Sequence, residues 1–299
     1  MNTLWKFYDA NKKNYVSLSD EELKTLHSLL TEMTEDIMAF CRDRNLTIFL
    51  GGGSMLGAVR NKGIIPWDDD VDLNMPRKDY EILKKEFPGY MSDKYELTAP
   101  GTACPGSFAF AKIKRKGTVL LEVIGDVDHP EVFIDIFPID YAPASSFMRH
   151  LEAPFYELIR NIQYIVFMRK SWKTSIKPGL KNCDFSTRFT MRLGNILGAI
   201  CSIIPLEKWN AFFDRAVQKK PSPYATVPTG DQGYLGECWP SSDWLDAVDV
   251  EFEGMTVSTS AGYDRMMQRH YGNYMTPPPP EKRGRHYFLE IDLNVKTSP

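Results

Sequence analysis

Asp68, Asp69, Asp70 and Asp72 place four carboxylates within five residues, a short way after the small-residue turn Gly51-Gly52-Gly53-Ser54. Like charges this close repel, and burying any of them unpaired is costly. Fold stability alone would not select the block; a divalent cation would make sense of it. A fifth acid, Asp135, stands alone in the apolar run VFIDIF at Val132 to Phe137. In a strand, alternate residues share a face, so Asp70 and Asp72 are expected to project together while Val71 and Leu73 point into core. Asp135 should likewise face away from Ile134 and Ile136. If the two strands are neighbours, three carboxylates converge. Such hard oxygen donors suit one or two Mg²⁺ ions, or Mn²⁺ in their place, with positions left open for phosphate and water.

The glycine turn supplies the complementary half. Without Cβ atoms at Gly52 and Gly53, backbone N–H groups can approach a phosphate, and Ser54 adds a hydroxyl. A helix starting near Ser54 would favour the same anion. The pattern is neither a P-loop, since no G-K-[ST] follows, nor G-x-G-x-x-G. Arg60, Lys62, Arg77, Lys112 and Lys114 are candidate phosphate clamps. Lys282, Arg283, Arg285 and His286 form a later cationic cluster behind the stiff run Pro277 to Pro280. Trp67 is read as a packing residue. His129 and His270 show no nucleophile partner in the sequence, which leaves acyl transfer without support.

The elements that must position these residues follow from periodicity. Residues 1–16 are polar with a few aromatics and are expected to lie on the surface. Ser19 to Glu22 fits a capping box, and Leu23, Leu26, Leu30, Met33, Ile37 and Phe40 give one helix an apolar face that ends near Asn45. Leu46 to Leu50 reads as a buried strand leading into the glycines. Arg77 to Phe87 reads as a helix closed by Pro88-Gly89. Strands are expected at Tyr95 to Thr98, Phe108 to Lys114, Thr118 to Ile124 and Val132 to Phe137. Beyond about residue 145 the pattern turns helical: Phe147 to Trp172, with Pro154 in a first turn or at a kink, then Cys183 to Lys220, interrupted near Pro205. A hairpin at Val250 to Ser258 turns at Glu253-Gly254, and a short helix spans Gly262 to His270. The reading is an α/β (α+β) fold, a mixed sheet flanked by helices with a mainly helical second half. Residues 17–143 are expected to form the catalytic core, and 144–299 to pack on it and complete the site.

Composition sets outer limits. The chain has 299 residues and a formal net charge of −3, so no basic stripe argues for duplex nucleic acid. Its five cysteines are scattered without a C-x-x-C pair, which argues against structural zinc and a disulfide framework. No signal-peptide core and no run of about eighteen apolar residues is present, making the cytoplasm the expected location. The uncharged segment Leu193 to Leu206 has two readings. The preferred one is a core helix; the other is a monotopic patch at the inner membrane face, flanked by Arg188, Arg192 and Lys208.

GGGSMLGAVRNKGIIPWDDDVDLNMPRKDY closely resembles the signature of the LicD family of phosphorylcholine transferases, which includes the fukutin-type transferases. FIDIFPID, the FEG at Phe252 to Gly254 and the distal YGNYMTPPPPEKRGRH are similar to later family motifs. The likeness runs from about residue 45 to 287. It implies a nucleotidyltransferase-like sheet and a Gly/Ser turn at Gly52, Gly53 and Ser54. It further implies an Asp-x-Asp pair at Asp70 and Asp72 and a third acid at Asp135, with Asp68 and Asp69 as ligands or supporting groups. The implied reaction is Mg²⁺-dependent transfer of a substituted phosphate, such as phosphocholine, from a CDP-linked alcohol to a sugar hydroxyl, with CMP leaving. Teichoic acid, capsule and lipopolysaccharide glycans, lipid-linked or free, are the implied acceptors. Ser54 stands where the family usually has Thr, and Ser260-Ala261 where it often has Pro. Two rivals stay open: a nucleotidyltransferase that moves NMP, and a non-catalytic nucleotide-binding protein.

Overall fold

The computed structural model describes residues 3–284 and 286–295, without the side chain of Lys282. Helix α1 (Thr3–Asn11) precedes α2 (Asp20–Asp43), which opens on the complete Ser19/Glu22 capping box. Strand β1 (Phe49–Leu50) leads into α3 (Gly52–Asn61), β2 (Asp72–Pro76) and α4 (Arg77–Glu86). Then come β3 (Tyr95–Thr98), β4 (Ala111–Arg115), β5 (Val119–Glu122) and β6 (Phe133–Ala142). The second half begins with α5 (Ser146–Lys170), the short α6 (Lys177–Gly179), α7 (Phe185–Cys201) and α8 (Leu206–Ala216). It closes with β7 (Tyr224–Thr226), α9 (Gly233–Gly236), β8 (Trp239–Pro240), α10 (Ser241–Leu245), β9 (Ala247–Phe252), β10 (Met255–Ser260), α11 (Tyr263–Tyr271) and β11 (Phe288–Asp292).

The main sheet is mixed, ordered β3-β4-β6-β2-β1-β10-β9, with β7 and β8 continuing from the far end of β6. The pairs β2–β6 and β1–β10 are parallel and the rest antiparallel. The fold is therefore the expected mixed α/β arrangement, and residues on both sides of position 143 contribute strands to one sheet. A separate ribbon pairs β5 with β11. The principal core lies between the sheet and the inner face of α2, where Leu26, Leu30, Met33, Ile37 and Phe40 are fully buried.

Several elements differ from expectation for identifiable reasons. The N-terminal segment is a helix, and Phe7 is fully buried in a second cluster with Val123, Phe167, Ile176 and Leu180. Strand β1 shrinks to two residues because the Thr47 N–H is taken by the Asp79 carboxylate at 3.0 Å. Strand β6 runs on through Pro138, which is tolerated because the β4 ladder has already ended at Ala111 opposite Ile136. Pro154 sits inside α5, beyond the first turn, and the carbonyl it leaves free belongs to exposed His150. The Glu253-Gly254 turn has both residues at positive φ, 49° and 76°, as a tight hairpin requires.

The preferred reading of Leu193 to Leu206 is overturned. Helix α7 buries only Thr187, Met191 and Gly198, and most of its large apolar side chains face outward. It packs on α5 through Gly198, where a Cβ would come within 2.7 Å of the Ile165 carbonyl. Among the described residues no single helix is long and apolar enough to cross a membrane; the bent pair α7–α8, at 81°, could by length and composition alone.

Candidate active site

Parallel pairing of β2 with β6 sets Asp72 directly opposite Asp135. On the other side of β6, antiparallel β4 sets Lys112 opposite Asp135. The Lys112 Nζ lies 2.7 Å from one carboxylate oxygen and 3.0 Å from the other. Core residues alternate with these groups as strand geometry requires: Val71, Leu73, Ile134 and Ile136 are fully buried. Strand β2 begins at Asp72, so Asp70 stands in the approach to the strand and not on it. Pairing nevertheless reaches back that far, since the Asp135 N–H donates to the Val71 carbonyl at 3.1 Å.

Helix α3 aims its first turn at these acids. It starts at Gly52, two residues earlier than Ser54. A Cβ on Gly52 would lie 2.6 Å from Asp72 Oδ2, and one on Gly53 would lie 2.9 Å from Asp68 Oδ2. Gly52 also has φ +44°. Only glycines let the helix N-terminus come this close to the carboxylates. Ser54 has a different job from the one expected. It is buried, and its Oγ accepts the Asp72 backbone N–H at 2.9 Å, fixing the entry to β2.

These groups wall a cavity of about 990 Å³. Gly52, Gly53, Asp68, Asp70, Asp72, Lys112 and Asp135 line it together with Arg60 and Trp67. Arg60 donates to the Tyr274 carbonyl at 3.0 Å and approaches the Trp67 ring at 5.5 Å. Arg283 lies 4.3 Å over the same ring and donates to the Pro278 carbonyl, at the rim. The Lys282 side chain and Arg285 of the expected cationic cluster lie outside the described residues.

Other candidates lie elsewhere. Arg77 is no phosphate clamp: it is locked between Asp140 at 2.6 Å and Asp214 at 2.7 Å, both buried, and also contacts Glu81. Lys62 is exposed and pairs with Glu251. Lys114 is buried, donates to the His129 carbonyl and is held down at a pKa of about 8 by desolvation. Asp69 does not line the cavity; its oxygens accept the His286 backbone N–H at 2.9 Å and the His286 ring at 2.7 Å. Asp69 thereby ties the C-terminal arm to the acid block.

Local pattern did not reveal Glu122, Asp231, Glu237 and Tyr271 as site residues, nor a place in the site for His270; all five also line the cavity, as does His286 of the expected cationic cluster. Glu122 had a signal: like Asp135, it is a single acid in an apolar strand, VLLE. Asp231 and Glu237 come from a loop with no such signature. Contrary to expectation, His129 does have a thiol beside it, with Nε2 3.9 Å from Cys104 Sγ and Nδ1 2.9 Å from Glu96. That group borders no part of the cavity, and burial together with the Glu96 charge keeps the Cys104 thiol protonated.

Electrostatics mark the acid block as uncompensated. Burial, reinforced by the Asp135 charge, pushes Asp72 up to about 8. Burial and Asp69 push Asp68 up to about 6, and burial and Asp72 push Asp70 well above the usual carboxylate range. Asp135 is raised by burial against the pull of Lys112. Burial opposes charge on His286, yet its bond to Asp69 and the Glu122 charge lift it to about 11. Carboxylates held against each other beside a helix N-terminus, with one lysine and one histidine to offset them, are a donor set that fits a hard divalent cation.

Residues 45–155 match the model of the LicD/FKTN/FKRP nucleotidyltransferase domain. Over that span the chain is similar to a LicD-type nucleotidyltransferase domain. That span holds Gly52, Gly53, the whole acid block, Lys112 and Asp135. The likeness to one member extends further. The lipopolysaccharide cholinephosphotransferase LicD of Haemophilus influenzae is 26% identical over 254 residues, covering 84% of this chain and 91% of that protein. An uncharacterized protein of Rickettsia prowazekii is 33% identical over 90 residues, 28% of this chain and 34% of its own. A counterpart in Rickettsia typhi is 29% identical over 114 residues, 34% of this chain and 37% of its own.

Proposed function

We propose that this LicD-type enzyme transfers a substituted phosphate, phosphocholine or a close analogue, from a CDP-linked alcohol to a sugar hydroxyl of a cell-surface glycan such as lipopolysaccharide or teichoic acid, releasing CMP. The observation that carries the reading is the Asp72–Asp135 register, set directly beside the N-terminus of α3 in the cavity wall. Likeness to the Haemophilus protein, which is named for cholinephosphate transfer to lipopolysaccharide, supports the substrate class.

Asp70, Asp72 and Asp135, with Asp68 beside them, would hold Mg²⁺. When bound, that ion supplies charge neutralisation at the donor diphosphate and at the departing phosphate oxygen. The chain's own groups do the rest. The first N–H groups of α3 at Gly52 and Gly53 face the carboxylates and the space a diphosphate would fill. Lys112 offsets charge on Asp135 and adds a cation to the cavity wall. Arg60 and Arg283 place further positive charge near Trp67. Asp135 or a neighbouring Asp of the block is assigned to accept the acceptor hydroxyl's proton.

The test is product analysis with CDP-choline, Mg²⁺ and a glycan acceptor. The expected outcome is CMP release with one phosphocholine added per acceptor hydroxyl modified. Nucleotide addition to the acceptor would assign the protein to NMP transfer instead. Donor binding without turnover across a panel of CDP-alcohols would favour a non-catalytic role.

A further inference from the structure

Helix α7 carries an apolar stripe on the side away from the protein. Phe185, Phe189, Leu193, Ile196 and Ile200 recur at spacings of three and four, all exposed, with Phe185 at 76%. The turn after the helix continues the stripe with Ile204 and with Ile203, which is 83% exposed. Helix α5 presents a second stripe, Phe147, Leu151, Phe155 and Leu158, likewise outward. Phe155 meets the half-exposed Phe212 of α8 ring to ring at 6.3 Å, linking the two helices at this surface. Scattered exposed apolar residues need no explanation, but ordered stripes on adjoining helices do.

Charge identifies what covers this face. Between residues 169 and 206 there are seven Lys or Arg and one acid, Asp184, a local excess of +6 in a chain whose net charge is −3. Lys173, Lys177, Lys181 and Arg192 are exposed, and they and Arg188 are in no ion pair among the described residues. The acids of α5 point elsewhere: Glu152 pairs with Lys219, and Glu157 with Arg160 and the Tyr234 N–H. An apolar stripe flanked by unpaired cations that outnumber the acids beside it, Asp184 at the start of α7 and Glu207 at the start of α8, is complementary to a bilayer with anionic headgroups. A second protein copy would bring the same +6 excess against itself.

We propose that the α5–α7–α8 face, with the Ile203-Ile204 turn as its most protruding apolar point, docks on an anionic membrane surface without spanning it. The same α5 supports the cavity: Arg160 donates to the Gly230 carbonyl at 2.9 Å, and Gly230, Asp231 and Gln232 line the cavity wall. The docking itself does not depend on the transferase reading.

Flotation of the full chain with vesicles tests this. The vesicles are pure phosphatidylcholine, or phosphatidylcholine with about 30 mol% phosphatidylglycerol. The protein should float with the anionic vesicles, less with the neutral ones, and less again in high salt. The combined substitutions Phe189→Ser, Ile196→Ser and Ile200→Ser should reduce flotation about tenfold or more with the far-UV spectrum unchanged. Ile203→Glu, on the exposed turn, gives an independent variant should the triple one misfold. Wild-type protein that stays unbound from anionic vesicles at low salt would overturn the proposal. So would variants that float like wild type, or a dimer that the substitutions split while vesicles are ignored.

Discussion

At the residue scale the account rests on Asp72 and its surroundings. Asp72→Asn removes a carboxylate that its neighbours repel, so transfer should fall by about 10³-fold or more while the thermal midpoint stays at or above wild type. A matched drop in midpoint would mean the residue is structural. Gly52→Ala forces φ +44° on a residue with a Cβ and places that Cβ 2.6 Å from Asp72, at a cost of about 1–2 kcal/mol. It should impair donor binding more than Gly53→Ala, whose clash is with the movable end of Asp68. Equal effects in the two variants would argue against a close approach at Gly52. The acids were legible in the sequence because a charge in an apolar strand is conspicuous. The partners of Ser54 and Asp69 were not legible, because both spend chemistry on backbone N–H groups: Ser54 on Asp72, Asp69 on His286. No spacing rule reveals such partners, which lie across chain separations of 18 and 217 residues.

At the element scale, Arg77 shows how a cation in a family-like motif can serve the fold. It ties the start of α4 to Asp140 of β6 and Asp214 of α8. Arg77→Met leaves two buried carboxylates short of a partner, and should cost about 3–5 kcal/mol in urea unfolding while KM of the folded fraction is unchanged. An altered KM would place Arg77 at the substrate after all. The helices α2 and α4 and the β9–β10 hairpin could be read from capping residues, apolar spacing and turn chemistry. Helix α7 could not. Its periodic apolar face suggested a core helix, and periodicity shows that a face is apolar without showing what lies against it. The strand order, with β10 beside β1 and β6 beside β2, is set by long-range pairing that local pattern does not encode.

At the scale of the whole molecule, the acid block should make stability depend on pH and metal together. Asp68 at about 6 and Asp72 at about 8 titrate above the usual unfolded value near 4, so the folded state binds more protons between those limits. His286, raised to about 11 from about 6.5, acts in the same direction. Stability of the metal-free protein is therefore lost as pH rises from about 4 to 8, relative to Asp72→Asn. Mg²⁺ should restore it, with a larger shift in thermal midpoint at pH 8 than at pH 5. A shift equal at both pH values, or equal in Asp72→Asn, would separate the metal from these carboxylates. The central claim, that Asp70, Asp72 and Asp135 serve transfer of a substituted phosphate, is tested most directly by mass analysis of a lipopolysaccharide or teichoic acid acceptor after incubation with CDP-choline and Mg²⁺. A phosphocholine-sized gain matched by CMP, absent in Asp72→Asn, is the expected result. A nucleotide-sized gain, or an undiminished phosphocholine gain in Asp72→Asn, would contradict it.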